Sequence, residues 1–368
     1  MDIVRNKNML AAAVLIVAVW AGILIFHPPR VTQDTFTYFE SMEVLATGEV
    51  PDGFTANRII TTYLGMRTVM ALETVFGDVK IAWAVMNSIF FFATSFFFYK
   101  IIAILFGRHT IAMFGTVLVA TNYALLANAL DYVMDVGGWA FYLAALYFSL
   151  RYMMMDNIRF VVYGAVAVGI GCFFKEYAFL GLIALACAIL YQRRQNIGAL
   201  VREAALVGGI SLVPISLFYI WAYDQYGYSY LNWFSYAKEA MPAYYASKPV
   251  EYIKVLGSLY TFGWFLFVGG VYLAMRYKTA FLESRALWYV AFVGISALPV
   301  FVWPAITQRI FFPIVPFLVM VSCFVFLRYE LRLVYFLPLV AAYVAVSYAM
   351  DSYVLDAVNV DPLLNFLR

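Results

Sequence analysis

Residues 81–105 read IAWAVMNSIFFFATSFFFYKIIAIL, and Lys100 is the one charged residue in the run. A bilayer core about 30 Å thick takes roughly 20 apolar residues of helix, because backbone groups in lipid must be hydrogen-bonded within the segment itself. This run is long enough. Working outward, apolar runs between charge clusters predict further helices near 9–26, 110–130, 137–155, 160–174, 177–191, 204–222, 259–275, 286–302, 310–327 and 333–350. The chain of 368 residues is 65% hydrophobic and 12% charged, with a mean hydropathy of +0.85, far outside the range of soluble domains. The expectation is an all-α polytopic membrane helical bundle of about eleven transmembrane helices, forming a single membrane domain over 1–368. Met9 to Phe26, which follows Arg5 and Lys7 without a small-residue cleavage site, reads as a retained first helix.

Two longer segments, 27–80 and 223–258, are rich in Tyr, Phe, Thr and charge, and are expected as large outer loops. In the first, Phe36, Phe39, Met42 and Leu45 recur at a spacing near three, with Thr35, Glu40, Glu43 and Thr47 between them. That spacing predicts an interfacial helix over 34–47, lying on the membrane. Gly48, Pro51, Asp52 and Gly53 turn the chain, and a second juxtamembrane helix is expected over 58–76, with Arg58, Thr61, Thr62, Gly65 and Thr68 on its less apolar side. If 58–76 lies flat, the clusters Lys100/Arg108, Arg151/Arg159, Arg193/Arg194/Arg202, Arg276/Lys278/Arg285 and Arg328/Arg332 fall on the same side as Arg5 and Lys7. These are 14 of the 24 basic residues, so the positive-inside rule puts that side in the cytoplasm, and both long loops and the tail from Asp351 to Arg368 outside.

A net charge of +3, from 24 basic and 21 acidic residues in small clusters, does not suit nucleic-acid binding. Cys172, Cys187 and Cys323 lie in apolar runs and His27 is far from His109, so neither a disulfide framework nor a Cys/His metal site is indicated.

The chemistry-bearing residues at the outer ends of the spans are Asp34, Arg58, Asp131, Asp135, Lys175, Glu176 and Arg309. Ionisable groups at membrane depth are costly, so each needs a partner, water or a function. Asp34 is placed either as a helix N-cap or as a general base toward a bound hydroxyl. Asp131 and Asp135, four residues apart, would share a face on a helical turn and invite a cation or an arginine; the plain alternative is a solvated turn between spans. Lys175-Glu176 interrupts an apolar stretch from Phe160 to Leu190, as a simple turn or as a phosphate contact. Arg309 begins Arg-Ile-Phe-Phe-Pro-Ile-Val-Pro. It is either an anchor snorkelling to the headgroups or an anion site.

The order of these residues resembles the C-type (GT-C) glycosyltransferase superfamily, near the protein-mannosyltransferase and lipid A aminoarabinose-transferase branch. Members have an acidic residue after the first helix followed by two juxtamembrane helices, which Asp34, 34–47 and 58–76 match. Asp135-Val136-Gly137 is similar to a second acidic motif, without its frequent proline, and the choice between Asp131 and Asp135 stays open. Lys175-Glu176 matches a basic-Glu pair opening a later helix, and Arg309 to Pro316 an Arg-Tyr-Leu-Leu-Pro-x-x-Pro pattern. Against the resemblance, no large periplasmic domain is expected after the last span.

The resemblance implies an inverting transferase in a plasma membrane, with a cytoplasmic N-terminus and its site on the periplasmic or extracellular face. Its partners would be membrane lipids, a polyprenyl-phosphate-linked sugar donor, and a glycan, lipid or protein acceptor. Asp34 would deprotonate the acceptor, Lys175, Arg309 and Arg58 would hold the lipid phosphate, and Asp135 or Asp131 would orient acceptor or basic residues. No cofactor is required; a divalent cation would need Asp34 and Asp135 to converge. Rival readings are a transporter or flippase of a lipid-linked substrate, a noncatalytic assembly subunit, and another lipid-carrier polymerase or ligase.

Overall fold

The computed structural model describes residues 29–240, 248–281, 284–329 and 332–354, together with part of 10–25. Among these the protein is all-α. The expected first helix is described in part, helical across 16–22, with Trp20 packed on Phe92 at 5.6 Å between ring centroids. Arg5, Lys7, His27 and most of the expected outer tail lie outside the described residues.

Helix α1, Gln33–Thr47, ends where Gly48 takes a positive φ of 76°, a conformation that glycine adopts without a Cβ clash. Helix α2, Asn57–Phe76, is broken at Thr62, and just beyond the break the Leu64 amide donates to the Phe173 carbonyl at 2.9 Å. The long α3, Val79–Phe106, starts at an Asp78 N-cap. Helices α4, His109–Ala120, and α5, Tyr123–Leu130, form a pair bent by 62°. Helices α6, Asp135–Met155, and α7, Ile158–Gly171, follow, and a 3-10 turn over Glu176–Phe179 leads into α8, Leu180–Arg193.

Helices α9, Ile197–Val207, and α10, Val213–Tyr226, are joined by a π-helical turn at Gly208–Leu212. Helix α11, Tyr230–Ala240, precedes α12, Lys248–Tyr260, which meets α13, Gly263–Phe281, at an 85° bend. Helix α14, Ser284–Ala297, a 3-10 turn, the short α15, Gln308–Phe311, then α16, Val315–Tyr329, and α17, Leu333–Val354, complete the order.

Five of these helical stretches are long and apolar enough to cross a membrane, or up to seven if each bent pair counts as one span. The predicted 110–130 run corresponds to the first bent pair, whereas the 259–275 run covers little more than the second arm of the other, whose first arm, α12, lies almost wholly within 223–258. The segment 223–258, expected as a loop, is largely helical: α10 reaches Tyr226, and α11 and α12 fill most of the remainder. Composition hid this because an amphipathic helix and a polar loop have similar averages. Tyr230 stacks on Tyr219 at 5.8 Å and Phe234 meets Trp303 edge-on, so α11 lies against α10 and the turn before α15.

The core is aromatic and close-packed, with Trp83, Phe91, Phe98, Trp139 and Tyr142 wholly buried. Helices this apolar associate by packing, which favours small residues at contacts. Gly270 is one such contact: a Cβ there would come within 2.1 Å of the Val321 carbonyl oxygen, so α13 lies directly on the α16 backbone. At the far end of α6, Arg193 pairs with Asp156 at 2.5 Å and with buried Glu203 at 2.9 Å, while Gln192 donates to the Met153 carbonyl at 2.7 Å. The α6–α7 and α8–α9 turns are therefore tied together at one end of the bundle. Asp135 lies at the other end of α6.

Candidate functional site

Helix α1 is capped by Thr32, not Asp34. The Thr32 hydroxyl accepts from the Thr35 amide and the Thr35 hydroxyl from the Thr32 amide, a reciprocal pair that satisfies the helix start. Asp34, in the first turn, is thereby left to turn its carboxylate elsewhere. One oxygen accepts from Arg58 and the other from Arg309 at 2.6 Å. Arg58 is further fixed by its Nε donating to the Thr37 hydroxyl at 2.9 Å, and its guanidinium lies over the Tyr38 ring at 4.8 Å. Burial works to raise the Asp34 pKa, but Arg309 and Arg58 together outweigh it and hold the carboxylate well below the usual range.

Asp135, 1% exposed, opens α6 with Oδ2 3.8 Å from an Arg309 nitrogen. Arg309 therefore stands between two carboxylates that lie 101 positions apart in the sequence. The cation on which Asp34 and Asp135 converge is this guanidinium; among the described residues no group of three His, Cys, Asp or Glu side chains gathers at a metal-binding spacing.

Lys175 reaches the same place through close backbone packing. A Cβ on Gly138 would sit 2.6 Å from the Lys175 Cβ, and one on Gly137 would press on Phe174, so the glycines after Asp135 admit the Lys175 turn. Lys175 is 7% exposed and pairs with Glu176 at 3.5 Å. Burial opposes its charge, but Glu176, Tyr38 and Asp135 together outweigh burial and raise its pKa.

Asp131 is held apart. Its carboxylate accepts from the Arg30 backbone amide at 2.9 Å and from the guanidinium at 3.1 Å. It ends α5 with extended backbone, φ −64° and ψ 154°, so the chain leaves the helix before Asp135 and the two do not share a helical face. The loop between them is pinned by Asn87, which donates to the Asp131 and Val133 carbonyls, by the Trp83 indole on Val133, and by the Thr35 hydroxyl on Tyr132. The structure thus gathers Asp34, Arg58, Asp135, Lys175, Glu176 and Arg309 and leaves Asp131 in a loop-holding pair.

Thr37, Tyr38 and Tyr177 are site neighbours that the sequence reading passed over. Thr37 and Tyr38 had a usable signal, being three and four residues from Asp34 and so on the same helical face; Tyr177 had none, since it approaches Asp135 only through the fold. Beside the charges lies a cavity of about 340 Å³ whose lining includes Glu176, Tyr177, Tyr219, Tyr230, Trp303 and Ile310, continuous in sequence with Lys175 and Arg309. An apolar, aromatic chamber next to a cluster of fixed cations suits a ligand with a long apolar body and an anionic head. No protein-family model matches the chain, and no curated protein matches it.

Proposed function

We propose that the chain is a membrane glycosyltransferase that moves a sugar from a polyprenyl phosphate to an acceptor hydroxyl, with inversion at the anomeric carbon. The observation that carries this reading is the convergence of Asp34, Arg58 and Arg309 with Lys175 and Asp135, beside an apolar cavity. Donor phosphate competes with Asp34 for the two arginines. As they turn to the phosphate, Asp34 loses the charges that depress its basicity and becomes able to take the proton of the acceptor hydroxyl. The acceptor oxygen bonds to the anomeric carbon, the bond from that carbon to the phosphate oxygen breaks, and its electron pair stays on the phosphate. Arg309 and Lys175 stabilise that charge, and Asp135 orients Arg309. The cavity takes the polyprenyl chain.

In this reading the bundle has about eleven spans in a plasma membrane. Its N-terminus is cytoplasmic and the site faces the periplasm or exterior, matching the side preference of the basic clusters. The acceptor is a glycan, lipid or protein. The test is mass spectrometry of lipid that co-purifies with the protein, followed by transfer assays in vesicles with the lipid found. Recovery of a polyprenyl phosphate or its glycoside supports the proposal; vesicles that consume no such glycoside under any acceptor overturn it.

One observation favours a second reading, a flippase. The two bent helix pairs meet where the Asn122 amide donates to the Leu259 carbonyl at 2.6 Å, and broken helices are common in transporters. A flippase would move the lipid-linked sugar between leaflets of the vesicle without chemical change.

A further inference from the structure

The side chain of Tyr38 is wholly buried, yet its hydroxyl has no hydrogen-bond partner among the described residues. Buried hydroxyls are nearly always bonded, because leaving one unmade forfeits its hydration without return. The ring itself is well placed: it packs edge-on against Trp83 at 5.6 Å and under the Arg58 guanidinium. Tyr38 lies one turn beyond Asp34 in α1, so the hydroxyl and the Asp34 carboxylate rise from the same helical face. Lys175, Arg58, Asp135 and Asp34 are the charges acting on that hydroxyl. It therefore stands, unspent, among the groups assigned to the donor phosphate.

We propose that Tyr38 is a phosphate ligand, its hydroxyl donating to a phosphate oxygen held by Arg58 and Lys175. The assignment rests on the sugar-transfer reading and adds to it a neutral donor that fixes the rotation of the phosphate, where the cations supply attraction. A phenol suits that task because its O–H is directional and its ring, clamped between Trp83 and Arg58, has little freedom to lose on binding.

The test uses the full chain in lipid nanodiscs with two probes, farnesyl phosphate, a short polyprenyl phosphate, and farnesol, which lacks the phosphate. Tyr38→Phe keeps the ring and its contacts and removes only the unbonded hydroxyl. Its melting temperature should therefore equal or exceed that of the wild type. Affinity for farnesyl phosphate is expected to fall about tenfold, the value of one hydrogen bond to a charged group, while affinity for farnesol is unchanged. Equal farnesyl phosphate affinity in Tyr38→Phe and wild type overturns the assignment of Tyr38 and leaves the donor reading standing. Equal loss for both probes also overturns it, since the hydroxyl would then be shaping the cavity. Wild type that binds neither probe defeats the donor reading itself, and this inference with it.

Discussion

The Arg309 guanidinium donates to the Asp34 carboxylate at 2.6 Å across 275 positions of sequence. It also faces Asp135, so its planar fork is used in two directions at once. A lysine carries the same charge but has no fork. Arg309→Lys is therefore expected to weaken donor binding, and Arg309→Ala to weaken it further, by about 1.5–3 kcal/mol for a lost charge-assisted bond. Titration of both variants with a polyprenyl phosphate checks this. An anchoring role would leave both titrations as in the wild type.

Asp34 is held ionised below the ordinary carboxylate range once Arg309 and Arg58 have overcome its burial. A depressed native pKa contributes stability above the unfolded pKa, and that contribution disappears as pH falls through the native value. Asp34→Asn should accordingly be less stable than wild type at neutral pH, with the gap closing as the pH is lowered below about 4, the unfolded carboxylate value. Melting curves of both proteins across acid pH measure it. A gap that widens on acidification would contradict the assignment.

Transfer by Asp34→Asn is expected to fall on the order of 10²–10⁴-fold, the usual share of a general base, in protein that still melts cooperatively. Near-normal turnover would remove Asp34 from the proton transfer.

Asp131 and Asp135 should separate cleanly. Asp131→Asn weakens a pair whose arginine side chain is 51% exposed, so a cost of about 0–1 kcal/mol and near-normal transfer are expected. Asp135→Asn removes the second carboxylate facing Arg309 and should lower transfer strongly. Turnover assays on the two variants side by side decide it, and the reverse order would move the site toward Arg30.

Gly138→Ala would set a methyl 2.6 Å from the Lys175 Cβ and 3.1 Å from its carbonyl oxygen. Backbone can yield only by parting α6 from the Lys175 turn, at a cost of about 1–3 kcal/mol. The expected result is a lower melting temperature together with weaker binding of polyprenyl phosphate. A variant that loses stability but keeps full affinity would show that Lys175 is not placed by this contact.

The helical class and most helix positions were legible, because a long apolar run such as 81–105 pairs its own backbone groups only as a helix. The helices over 34–47 and 58–76 were legible from their periodicity and appear as α1 and α2. The breaks were not: Thr62 and the turns after Ala120 and Tyr260 lie in sequence with no proline, and their kinks answer to distant groups such as the Leu259 carbonyl that Asn122 binds. Charged residues at the ends of apolar runs picked out the cluster because a charge buried beside such runs must be answered. Which charge answers which was hidden. Asp131 and Asp135 differ only in the partners the fold brings, Arg30 for one and Arg309 for the other. Asp34 as a cap was a sound local reading that failed because Thr32 and Thr35 already complete the helix start.

The spacing of Asp34 and its two partners has a consequence for how the protein is made. Arg58 follows Asp34 by 24 positions, so the two can pair as soon as α1 and α2 emerge. Arg309 is synthesised much later, and Asp135 must wait for it in the half-built bundle. The cluster closes only when α15 joins α1 and α6, so a ribosome that stops short of Arg309 releases a chain in which Asp135 lacks its guanidinium. Quality control that removes proteins with unanswered buried charge would read this one contact as a sign that the chain has passed α15.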